Sequence, residues 1–100
     1  MPVGRRKNMK PIDEILCSEE TKWRGRTFEE FEGLQGEVQC YSVTHGGVTY
    51  HFEVHTERSR NKKEILVRVE GSKNLIFGKA KYFAISAEHG VRDIANEEAF

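Results

Sequence analysis

Residues 48–55 alternate without a break: Val48, Tyr50, Phe52 and Val54 fall on one side of an extended chain, and Thr49, His51, Glu53 and His55 on the other. A period of two marks a strand with one face buried and one face wet. Gly46-Gly47 stands directly before it, and two glycines accept the positive φ angles of a two-residue hairpin turn. Such a turn sets His45 opposite Val48, Val43 opposite Tyr50 and Tyr41 opposite Phe52. All three pairs then share the apolar side, so turn and alternation agree.

A second hairpin follows with weaker signals. Within Lys63–Glu70, Ile65, Val67 and Val69 point inward while Leu66 interrupts the polar side, and the polar stretch Arg58–Lys62 is short enough to join antiparallel neighbours. Gly71 to Asn74 reads as the next turn. Residues 75–87 read as a further extended segment, with Gly78 a bulge or bend and Phe83 and Ile85 inward. His89-Gly90 closes that strand, and Val91 to Glu98 is expected as a short helix or a frayed tail.

The N-terminal third is helical in pattern. Pro11 suits a first turn, and Ile12, Ile15 and Leu16 lie on one stripe. Thr27-Phe28-Glu29-Glu30 matches a capping box, with Phe28, Phe31 and Leu34 as the apolar side and Gly33 or Gly36 as the stop. Residues 22–28 are open between helix, loop and edge strand. Helices first and a strand meander after them predict an α+β fold, with N-terminal helical segments packed on a mostly antiparallel sheet of about four strands.

One hundred residues are too few for two independent cores, so residues 11–100 are expected to form one domain behind a disordered basic arm over residues 1–10. No apolar run approaches the roughly 20 residues of a membrane helix, and no apolar stretch follows Arg5-Arg6-Lys7 as a signal peptide requires. Cys17 and Cys40 are the two cysteines, without metal or disulfide-scaffold spacing; they are expected as half-buried thiols in a cytoplasmic protein.

The zero net charge conceals blocks. The chain carries +3 over Met1–Arg26, −6 over Thr27–Glu57, +6 over Arg58–Lys81 and −3 over Tyr82–Phe100. Neighbouring blocks attract, so the simplest expectation is that they pair within the molecule. A bipolar surface that steers a partner is the sharper one.

Chemistry finds little support in the residues. His51 and His55 lie ~13 Å apart along a strand and make poor co-ligands. The hairpin register instead sets Cys40 opposite Glu53 and Ser42 opposite His51, so Cys40, His51 and Glu53 form the candidate metal set on the wet face. Ser86-Ala87-Glu88-His89 lacks the geometry of a nucleophile, because adjacent strand residues point to opposite faces. Cys40 sits in the acidic block, which opposes a thiolate. Phosphate-binding glycine motifs are missing. The expectation is a domain without catalysis and without a cofactor.

Binding is the remaining class. Arg58, Arg60, Lys62 and Lys63 form a compact basic tip suited to phosphate contacts, reinforced by Lys73, Lys79 and Lys81 if the second hairpin places them nearby. The exposed strand face offers no aromatic platform for bases, Tyr82 being the single outward aromatic, which disfavours nucleic acid. Val38, Leu66 and Ile76 as outward apolar residues make a homodimer the alternative to an unknown protein partner. The chain reads as a small interaction module. Nucleic-acid binding at the tip and a small ligand or metal near Cys40, His51 and Glu53 are the rival readings.

Overall fold

At Gly46 and Gly47 the backbone takes φ of 59° and 79°, the left-handed values that a two-residue hairpin turn demands. The computed structural model describes residues 11–73 and 78–94. The turn joins β1 (Gln39–His45) to β2 (Val48–Arg58), in the register from His45↔Val48 to Gln39↔Val54. β3 (Glu64–Ser72), β4 (Gly78–Ser86) and β5 (Gly90–Asp93) follow, each antiparallel to the one before, in one sheet of order β1-β2-β3-β4-β5. Two helices precede the sheet: α1 (Pro11–Arg24) and α2 (Phe28–Glu32). The fold is α+β, with N-terminal helices packed on an antiparallel sheet.

The alternation selects the face that the helices cover. Tyr50, Phe52 and Val54 of β2, Ile65, Val67 and Val69 of β3, and Phe83 and Ile85 of β4 meet Ile15, Leu16 and Trp23 of α1 and Phe31 of α2 in one core. α1 ends where Gly25 N–H and Arg26 N–H donate to the carbonyls of Lys22 and Trp23, so residues 22–28 are a helix end and a cap, not a strand. Thr27 then opens α2 as a capping box with Glu30, and Gly33 closes it.

Three expectations about the strands are corrected. Gly71 is not a turn residue; it lies in β3 opposite Phe52, and a Cβ there would stand 2.6 Å from the ring. Glycine is present so that the aromatic ring can lie against the backbone. Gly78 makes no bulge, because the β3–β4 register runs evenly from Ser72↔Gly78 to Glu64↔Ser86. Gly90–Asp93 form β5, a fifth strand, with Val91 opposite Ile85 on the core side, while residues 95–98 of the expected helix or tail lie outside the described residues. Four residues with one apolar side chain are too short to show alternation, which is why the sequence reads there as helix or tail.

The surface brings further corrections. Cys17 and Cys40 are exposed, not half-buried: Cys17 lies away from the Ile15–Leu16 stripe, and Cys40 faces the helix-free side of an edge strand. Leu66 lies on the helix-free face but is only 7% exposed, between Glu57 and Ala84 of the flanking strands. It therefore offers no docking surface, while Val38 is 49% exposed. The basic arm over residues 1–10, and Ile76, lie outside the described residues.

Ion pairs cross between the charge blocks: Arg24 with Asp93, Arg58 with Glu32, Lys79 with Asp13 and Arg92 with Glu64 each join two different blocks. They do not simply match opposite neighbours: Arg58–Glu32 does so, whereas Lys79–Asp13 joins two net-positive blocks and Arg92–Glu64 joins the minority charge of each. Among the described residues, no helix is long and apolar enough to cross a membrane.

Candidate functional site

A concavity lies at the end of the sheet that carries the β2–β3 and β4–β5 turns. Residues 59–63 form a tightly bonded turn. Ser59 N–H donates to the Glu64 carbonyl at 2.9 Å, Lys62 N–H to the Ser59 carbonyl at 2.9 Å, and Lys63 N–H to Asn61 Oδ1 at 2.9 Å. Ser59 Oγ donates to Asn61 Oδ1 at 2.7 Å and receives Glu64 N–H at 3.2 Å. Closing this turn requires a left-handed residue, and that residue is Lys62, with φ of 63°.

Arg58 anchors the turn to α2. Its Nη2 donates to Glu32 Oε2 at 2.6 Å and its Nη1 to the Lys62 carbonyl at 3.3 Å, while the guanidinium lies 5.5 Å from the centre of the Phe28 ring. Across the gap, the β4–β5 turn is tied down by His89 N–H donating to Ser86 Oγ at 2.9 Å. Between the two turns opens a cleft of about 440 Å³, lined among others by Phe28, Lys62, Lys63, Ser86, Glu88 and His89. A second hollow of about 550 Å³ continues beyond Phe28 toward Arg24 and Arg26.

The electrostatics favour an anion at this cleft. The Arg58 charge is offset by Glu32. Glu64, also in the lining, receives both Arg92 Nε at 2.7 Å and Nη2 at 2.9 Å, and these bonds hold its carboxyl below the usual range. Lys62 and Lys63 remain as two exposed cations against the single carboxylate of Glu88.

Of the four basic residues expected at the tip, Arg60, Lys62 and Lys63 are exposed, whereas Arg58 is committed to α2. The anticipated reinforcement does not form. Lys79 and Lys81 pair with Gly71 and Val69, toward the far end of β3 from the tip, and Lys73 follows directly after β3 at that end. Two consecutive antiparallel strands carry one end of a basic segment away from the other.

The metal set does not gather. Cys40 lies opposite Glu53 and His51 opposite Ser42, as the register requires. However, His51 Nδ1 stands 3.3 Å from Ser42 Oγ, while Glu53 Oε1 approaches His55 Nε2 at 3.0 Å. Among the described residues, the group whose ligand atoms come within 4.8 Å of one another is Glu53, His55 and Glu70. Glu70 sits opposite Glu53 on β3, with Arg68 Nε 3.8 Å from its Oε1. The arrangement relieves two facing carboxylates by placing His55 and Arg68 beside them. Glu70 was not legible as a neighbour of Glu53 until the β2–β3 register was known.

Comparison with protein-family models, with curated proteins and with solved structures finds no match for this chain.

Proposed function

We propose that this protein is a cytoplasmic binding module without chemistry of its own, and that the cleft beside the 59–63 turn receives an acidic segment of a partner protein. The observation that carries the reading is Lys62 at φ 63°. A left-handed backbone costs a residue with a Cβ about 1–2 kcal/mol that glycine avoids. A lysine at that point is explained if its charge is used. Lys63 beside it and the Phe28 ring in the same lining provide what an acidic peptide with an apolar side chain needs: cations and an apolar surface. The two exposed free thiols suit a reducing compartment, which supports the cytoplasmic assignment.

Nucleic acid is the second reading, favoured by exposed Arg60, Lys62 and Lys63 but weakened by the engagement of Arg58 with Glu32. An amide-resonance titration separates the two, using a glutamate-rich peptide in one series and a mixed-sequence single-stranded oligonucleotide in the other. The peptide is expected to shift Phe28, Lys62, Lys63 and His89, with affinity falling as salt rises. Shifts with the oligonucleotide alone would replace this reading by nucleic-acid binding. Silence at these residues with both ligands at low salt would overturn it.

A further inference from the structure

We infer that β1 is a self-pairing edge, along which two copies of this chain join their sheets across a twofold axis through Ser42. Sheets normally guard their edges with charge, proline, bulges or short length. β5 follows that rule, with four residues that include Arg92 and Asp93. β1 does not: its seven residues, Gln39-Cys40-Tyr41-Ser42-Val43-Thr44-His45, contain no proline, lysine, arginine or carboxylate, and their register with β2 has no bulge. Among the described residues no strand pairs with its outer side.

The occupant follows from the backbone. A two-residue turn makes its flanking pair, His45–Val48, a hydrogen-bonded one, and such pairs alternate along an antiparallel ladder. Gln39, Tyr41, Val43 and His45 thus direct their N–H and C=O groups to β2, and Cys40, Ser42 and Thr44 direct theirs to the open side. These three are symmetric about Ser42. An antiparallel copy centred there sets Ser42 against the partner's Ser42 and Cys40 against the partner's Thr44, forming about six hydrogen bonds and leaving no outward group of the strand unmatched.

The side chains agree with this register. Tyr41 meets the partner's Val43 on the core side, an aromatic against a β-branched residue. No like charges face one another. The sole ionisable imidazole of the strand, His45, meets the partner's Gln39, at the end of the seam where the partner's Glu37 lies. A strand from an unrelated protein would need pockets for its alternate side chains, whereas this edge is complementary to itself.

Sedimentation equilibrium over a range of concentrations tests the pairing. The wild-type chain is expected to show a monomer–dimer equilibrium. Ser42 is exposed, so Ser42→Lys and Ser42→Glu each keep the fold, which thermal unfolding verifies. Each variant alone places like charges across the axis and should dimerise about tenfold more weakly, or more, while an equimolar mixture recovers the dimer. A wild-type monomer at every concentration would overturn the inference and leave the edge to a segment of another protein. A dimer indifferent to Ser42→Lys would overturn it as well, by placing the contact elsewhere.

Discussion

The Tyr41 hydroxyl accepts from Trp23 Nε1 and donates to Glu19 Oε1, both at 2.9 Å, and Glu19 in turn receives Lys22 Nζ at 2.9 Å. Glu19 is buried on α1, where its polar oxygens need the hydrogen-bond partners that Tyr41 and Lys22 supply. The same ring stacks on Phe52 at 5.5 Å, so one side chain fastens the edge strand to both helix and sheet. Burial pushes the Tyr41 hydroxyl up to about 12 from 10.0; the Trp23 bond opposes this and Glu19 adds to it. Below pH 10 both folded and unfolded chains keep this proton. Between the unfolded and folded values only the folded chain keeps it, so its contribution to stability falls as pH rises. Tyr41→Phe is expected to lose roughly 1–3 kcal/mol at neutral pH, because Trp23 Nε1 and Glu19 Oε1 each lose a partner. In urea unfolding, the gap to the wild type should narrow above pH 10. None of this was visible in sequence: α1 and β1 are independent patterns there, and the network exists only where they cross.

At the scale of elements, the first hairpin was legible to the residue, because a two-residue turn and an uninterrupted alternation leave a single register. The capping box at Thr27 was legible for a similar reason, being a local motif with its own hydrogen bonds. Elements whose reasons are tertiary were not. Gly71 carries the signature of a turn, yet serves the Phe52 ring from the neighbouring strand. β5 is held by Arg92 reaching over the small residues of β4 to Glu64 on β3, a contact spanning 28 positions. That pair carries its own prediction. The Glu64 carboxyl is held below 4.5 in the folded state, so its stabilisation is present above the unfolded value and lost as pH falls through the folded one. Glu64→Gln should therefore be less stable than the wild type at neutral pH and approach it in acid, as followed by thermal unfolding. An equal gap at both extremes would show that the pair does not hold β5 through its charge.

At the scale of the molecule, the charge blocks explain how a neutral chain acquires a polar end. Their cross-block pairs consume Arg24, Arg58, Lys79 and Arg92, each exposed pair contributing about 0–1 kcal/mol. The lysines of the 59–63 turn stay outside these pairs and line a cleft together with Phe28. The sequence marked the tip as basic, but the cleft depends on α2 and the β4–β5 turn closing around it, and no local pattern announces that. Lys62 joins the two themes, since its left-handed backbone is a cost to the fold and its charge a gain to the site. The decisive measurement is the affinity of Lys62→Gly for a glutamate-rich peptide. Lys62→Gly is expected to be more stable than the wild type by about 1 kcal/mol and to bind the peptide several-fold more weakly. Unchanged affinity in that variant would contradict the role of the Lys62 charge.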